Sequence, residues 1–151
     1  MIEISPAVVE EVFHQVCRDY SLRVTPVSGT DVLLVAKNYA IYFFSEPREK
    51  DINSWYIDIL DSSGGVRAVY ALWLFLAAKR PAPSVYGKIP FTSGPERTRI
   101  VLSRIRDHLL EKGSDILRGE KEWIKDYPWP GGAVSDDVKN AVRDTLRKWE
   151  T

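Results

Sequence analysis

The sequence predicts an α+β domain: a four-stranded antiparallel meander with an N-terminal helix and several C-terminal helices packed on it. Three observations lead there. An apolar stripe at helical spacing follows Ser5-Pro6. Short β-branched and aromatic runs, separated by turn residues, fill residues 22–60. Helical periodicity then returns and continues to the end of the chain. A length of 151 residues suits one domain with a sizeable core, and 44% apolar with 28% charged residues is ordinary globular composition.

Helix 1 is expected from Pro6 to Tyr20. Ser5 serves as N-cap and Pro6 as the first helical residue; Val9, Val12, Phe13, Val16 and Tyr20 form the stripe. Leu22 and Val24 alternate with polar residues, and Pro26 marks an edge strand or a strand end. Residues 27–31 carry turn chemistry. Val32-Leu33-Leu34-Val35 is short enough for a buried strand. Lys37-Asn38 makes a tight turn, where Asn tolerates the left-handed conformation. Tyr39 to Phe44 pairs back as a hairpin, and Ser45 to Asn53 is a charged loop. Ser54 to Leu60 is the fourth strand, with Trp55, Ile57 and Ile59 on one side and Asp58 on the other.

Val66 to Lys79 is apolar nearly all round and reads as a buried helix; a strand over part of it stays open. Residues 80–95 hold four prolines and form a long loop. Ser93-Gly94-Pro95-Glu96 resembles a capping box for a helix ending before Gly113. Thr98, Val101, Leu102, Ile105 and Leu109 form its inner stripe. A short helix, kinked near Gly119, follows over 114–126. Ser135-Asp136-Asp137 caps the last helix, with Val138, Val142, Leu146 and Trp149 inward. One core holding Trp55, Ile57, Ile59, Trp73 and Leu102 is expected between sheet and helices.

Composition and motifs exclude more than they assign. The single Cys17 has no disulfide partner within the monomer, which fits a reducing cytosol. Met1 to Pro6 has no basic and apolar signal-peptide pattern. The longest apolar run, Ala68 to Ala78, is about half a membrane span. His14 and Cys17 lie three apart on helix 1, but the wheel turns His14 away from the stripe that Cys17 borders. A metal pair is therefore not expected, and because nothing places the thiol at a helix N-terminus, neither is Cys17 as a nucleophile with His14 or His108. Gly64-Gly65 and Gly87-Lys88 lack the rest of a phosphate loop. No cofactor is expected.

Net charge is zero, yet residues 1–75 hold 6 basic and 10 acidic residues, and residues 76–151 hold 15 and 11. The halves either neutralise each other or steer a charged partner. Arg97, Arg99, Arg104 and Arg106 invite a nucleic-acid reading. They fall as two pairs on opposite flanks of the apolar stripe, the pattern of side chains lying over a core edge. Two patches remain as partner candidates. One is the charged loop, with Arg48 as contact and Glu49 and Asp51 steering at the rim. The other is the segment with Tyr127 and Trp129, aromatics that serve either as binding anchors or as staples holding the loop to the body.

The order of elements, the charged hairpin segment Phe44-Ser-Glu-Pro-Arg-Glu and the run Ser114-Asp-Ile-Leu-Arg-Gly-Glu-Lys-Glu-Trp resemble small bacterial immunity-type α+β proteins of polymorphic toxin systems. That resemblance implies a cytoplasmic protein that binds and neutralises one cognate toxin, without catalysis of its own. The contrasting readings are a small carboxylate-dependent hydrolase, using Glu46 or Glu49 with Asp58, and a nucleic-acid-binding domain using the Arg-rich helix over 97–106.

Overall fold

The computed structural model describes residues 4–45, 52–60, 63–87 and 94–149. The order is α1 (Pro6–Tyr20), β1 (Arg23–Ser28), β2 (Asp31–Val35), β3 (Tyr39–Ser45), β4 (Ile52–Ile59), β5 (Val66–Ala71), α2 (Leu72–Lys79), α3 (Gly94–Lys112), α4 (Ser114–Leu117), a 3-10 turn (Glu122–Asp126) and α5 (Asp136–Trp149). The α+β class is as expected. The sheet is an antiparallel meander of five strands, β1-β2-β3-β4-β5, not four.

The extra strand comes from the segment expected to be helical. Residues 66–71 pair with β4, Ile57 opposite Val69 and Trp55 opposite Ala71, and the helix starts only at Leu72. The sequence around Val66, Val69 and Tyr70 suits a strand as well as a helix. An unbroken apolar run carries no periodicity to choose between them. The open edge of β4 decides, because its backbone groups need partners. No side chain caps α2; instead the Tyr127 hydroxyl accepts the N–H of Ala71 at 2.9 Å.

Because the sheet is covered on both faces, there are two cores rather than the single one expected. On one face, α1, α2, α3, α4 and the 3-10 turn enclose Phe13, Leu34, Phe43, Tyr56, Phe75, Leu102 and Trp123. On the other, Val138, Val142 and Leu146 of α5 cover Leu33, Val35, Ile57 and Ile59, with Trp55 packed at the margin. This explains Val32-Leu33-Leu34-Val35: alternate residues enter opposite cores, so the strand is apolar at every position. Trp55, Ile57 and Ile59 do share a side, but Leu102 lies across the sheet from them. Trp73 belongs to neither core and is 43% exposed.

Local signals at helix ends behave as read. Ser5 Oγ accepts the N–H of Val8 at 3.2 Å, and α1 ends at Ser21 in the left-handed region (φ 57°). Ser135 Oγ accepts from Val138 N–H at 3.4 Å. Ser93 of the expected capping box lies outside the described residues. Pro26 sits on an edge strand, where a missing N–H is tolerated. Asn38 is not left-handed: among the described residues only Ser21 and three glycines have positive φ. Its side chain instead donates to the Gly119 carbonyl at 3.1 Å. The expected kinked helix over 114–126 is broken outright at Gly119 (φ 85°) into α4 and the 3-10 turn.

Gly64, with φ 85°, lets the turn between β4 and β5 meet α5: a Cβ there would stand 2.9 Å from Arg143 Cα. Both the conformation and the contact with backbone oppose a side chain. Gly64→Ala is therefore expected to cost about 1–3 kcal/mol. Chemical denaturation would measure this. A neutral result would mean that this turn does not press on α5.

Candidate protein-interaction surface

The two expected patches fare differently. Arg48, Glu49 and Asp51 lie outside the described residues, as does the Glu46 of the hydrolase reading. Tyr127 and Trp129 are half-buried and packed together, ring centroids 5.3 Å apart and nearly perpendicular. Tyr127 also stacks edge-on to Tyr70 at 4.8 Å, and its hydroxyl holds the start of α2. Gly132 N–H donates to the Val69 carbonyl at 2.8 Å. The segment thus lies along the outer edge of β5 and occupies backbone groups that an edge strand would otherwise expose. These contacts are those of a staple. A cavity of about 170 Å³ remains beside it, lined by Trp55, Val69, Ala71, Tyr127, Pro130 and Gly132.

The charged groups singled out earlier are engaged within the fold. Asp58 is 2% exposed, and Lys121 Nζ donates to its carboxylate and, at 3.1 Å, to the Ile59 carbonyl. Asp58 therefore meets an ammonium. The Arg pairs of α3 do occupy two flanks. On the α1 side, Arg99 pairs with Glu11 at 3.0 Å, and Arg106 pairs with Asp107 at 2.9 Å and donates to the Val12 carbonyl at 3.1 Å. On the other flank, Arg104 lies near enough to Tyr86 for its charge to favour the phenolate.

His14 is exposed, and Cys17 is half-buried in the margin of the first core. Burial, with the Glu10 charge adding to it, pushes the Cys17 thiol up to about 11. The native state thus holds the thiol proton more tightly than the unfolded chain. Its contribution to stability is full below pH 9 and is lost as the pH rises through 11. Iodoacetamide should alkylate native Cys17 at pH 8 at least about tenfold more slowly than the urea-unfolded chain. Equal rates would mean that the thiol is neither shielded nor shifted. Among the described residues, no group of three or more His, Cys, Asp or Glu is placed to hold a metal.

Sequence reading missed the surface of α2. Leu72, Phe75 and Leu76 face the core, while Trp73, Leu74, Ala77 and Ala78 are exposed, Leu74 at 45%. The signal was present: the seven residues of α2 before Lys79 are all aliphatic or aromatic and leave no hydrophilic face for water. Uniform apolarity predicts burial all round, but a helix this short, following directly on an edge strand, is covered on one side only.

Trp73 is held in place. Its Nε1–H donates to the Tyr86 hydroxyl at 3.0 Å, and the two rings meet edge to face. Tyr86 lies 2.6 Å from His108 Nδ1, and His108 Nε2 lies 2.7 Å from the Arg80 carbonyl. A carbonyl only accepts, so Nε2 carries the ring proton, Nδ1 accepts from Tyr86, and the Tyr86 oxygen accepts from Trp73. His108 is fully buried, so this chain of hydrogen bonds anchors a surface indole to the interior. Burial pushes the Tyr86 phenol up, against the pull of the Trp73 hydrogen bond and the Arg104 charge, so it stays a donor to His108 at neutral pH.

Arg80 closes the base of the arrangement. Its guanidinium grips both Asp115 oxygens, at 2.6 and 3.1 Å, and donates to the Lys112 carbonyl at 3.0 Å. Burial would raise the Asp115 carboxyl, but the Arg80 hydrogen bonds and charge outweigh it and hold the group below the usual carboxylate range. The helix end, the proline-containing segment after it and α3 are thereby locked together beneath Trp73.

Comparison with family models, with curated proteins and with solved structures finds no match to this chain. No helix among the described residues is long and apolar enough to cross a membrane.

Proposed function

We propose that this chain is a non-catalytic protein-binding domain of the immunity type, acting in the cytoplasm to bind and neutralise a toxin domain. The observation that carries the protein-binding part is the exposed apolar face of α2, with Trp73 fixed by Tyr86 at its centre. Large apolar side chains set side by side in water, on a rigid element, are costly unless a partner covers them. Trp and Tyr are favoured at binding hot spots, because they bury large area at little entropic cost. The toxin part rests on the resemblance in layout and on the division of charge along the chain. Tyr127 and Trp129, beside their cavity, with Arg48, Glu49 and Asp51, are the second contact region in this reading.

The test is co-expression with toxin domains encoded beside this gene in its genome. The wild-type chain should restore growth and co-purify with one of them. If no neighbouring product is neutralised and none forms a complex with the purified protein, the immunity reading is wrong.

A further inference from the structure

We propose that Trp73, Tyr86 and His108 form a proton-coupled electron-transfer relay, which moves an oxidising equivalent from the surface indole to the Tyr86 oxygen when a small one-electron oxidant strikes the protein. The relay is separate from the protein-binding reading and needs only that Trp73 meets solvent in the free chain. Three observations carry it. Trp73 is 43% exposed, and the other four of the five tryptophans are half-buried or buried, so an oxidant in water reaches its ring most readily. The indole is bonded directly to the phenol: Nε1–H donates to the Tyr86 oxygen at 3.0 Å, with ring centroids 6.4 Å apart. The phenol in turn faces a base. His108 Nδ1 lies 2.6 Å away, and its lone pair is fixed in place because the Arg80 carbonyl holds Nε2–H at 2.7 Å.

A phenol that loses an electron must also lose its proton, so the electron leaves readily only where a base already touches the hydroxyl. Burial holds the Tyr86 proton on its oxygen, which closes the alternative route through a phenolate. Tyr39 and Tyr42 are less well placed, since their hydroxyls donate to the Leu117 carbonyl at 2.8 Å and to the Asp31 carboxylate. An imidazole is ordinarily a stronger base than a carboxylate by about two to three pK units, and a carbonyl is far weaker than either. The step balances. The oxidant, a radical of the carbonate or azidyl class, takes one electron from Trp73 and leaves as its anion. The indole becomes a radical cation, with its Nε1 proton kept in the bond to Tyr86. Trp73 then recovers an electron from Tyr86, while the Tyr86 O–H bond breaks and its proton moves to His108 Nδ1. The products are a neutral indole, a neutral tyrosyl radical and an imidazolium. His108 is fully buried, so the proton is held there and not passed to water. Arg104, one helical turn away on α3, opposes the new charge, and the Arg80 guanidinium is already matched by Asp115. A one-electron reductant such as ascorbate returns the electron, His108 returns the proton, and all three side chains are restored.

The experiment is pulse radiolysis of the purified full chain in azide solution, where azidyl radicals oxidise indoles. In the wild type, part of the indole radical signal should decay at a rate independent of protein concentration. A tyrosyl signal should rise in step with it, and both should slow in heavy water. Trp73→Phe should remove that part. Tyr86→Phe keeps the ring and loses only the hydroxyl, and His108→Gln keeps an acceptor but not a base; each should slow the step at least about tenfold. An unchanged rate in Tyr86→Phe overturns the proposal, as does an unchanged rate in His108→Gln with the circular dichroism and Tm of the wild type. A tyrosyl signal that rises equally in Tyr86→Phe places the hole on another tyrosine and also overturns it, and so does a rate indifferent to heavy water. Should His108→Gln fail to fold, Tyr86→Phe and the heavy-water measurement decide the matter, because Tyr86 is half-buried and its ring is retained.

Discussion

Trp123→Ala should lower the unfolding free energy by about 3–5 kcal/mol, among the largest losses available to a single side chain in a core. Trp123 is 1% exposed and touches four rings: Tyr56 and Phe75 at 4.9 Å, Tyr70 at 5.7 Å and Tyr127 at 6.3 Å. These belong to β4, α2, β5 and the segment along the β5 edge. One side chain on a 3-10 turn therefore joins the sheet, α2 and the staple. A cavity there cannot collapse without moving all of them. The Tyr56 hydroxyl and Trp123 Nε1 are buried without a hydrogen bond of ordinary geometry. Tyr56→Phe is accordingly expected to cost little, because the polar group its hydroxyl meets is the Trp123 indole N–H, and the pair lacks the geometry of a full hydrogen bond. Urea denaturation at constant m-value would check both. A loss under about 1 kcal/mol for Trp123→Ala would show that the aromatic cluster is peripheral. A large loss for Tyr56→Phe would show that its hydroxyl is bonded after all.

Lys121→Ala should cost about 2–3 kcal/mol, through a different cause. It removes little packing but leaves the Asp58 carboxylate buried without its cation. The Lys121 side chain is 31% exposed, so water can enter behind it and soften the penalty. The double variant Asp58→Asn/Lys121→Met should recover most of the loss, because no charge then remains unpaired. Were the double variant no more stable than Lys121→Ala, the cost would come from the lost bond to the Ile59 carbonyl and not from the ion pair. The pair also ties the 3-10 turn to β4, and so places Trp123. The two substitutions are coupled and their effects should not add.

Much of the fold was legible because it depends on neighbours in sequence. Ser5, Ser135 and Gly113 end helices through bonds that span three or four residues, so their residue types are sufficient evidence. The hairpin of β2 and β3 was legible for the same reason. Asn38 shows where such reasoning stops. Its place in the turn was legible, but its role was not, since its partner is the Gly119 carbonyl far along the chain. The site was harder still. Tyr86 reads as one aromatic in a proline-rich stretch, and His108 as a lone histidine among the apolar positions of α3. Only their meeting with Trp73 turns three ordinary residues into a fixed surface anchor.

What the sequence determined by itself was the class of domain, most helix limits, the order of the first four strands and the alternation of sides along β4. Each follows from periodicity or from a cap, both of which are short-range. What the tertiary structure decided was the fate of residues 66–79 and the division of the core. An apolar run is equally content in a strand or a helix. It became β5 because β4 offered unpaired backbone, and α2 where that pairing ended. Likewise, a run such as Val32 to Val35 states that a strand is buried, but not that two separate layers bury it. The exposure of Trp73 follows from the same fact: hydrophobicity says how much a side chain gains by leaving water, and only packing says whether anything in the chain is there to cover it.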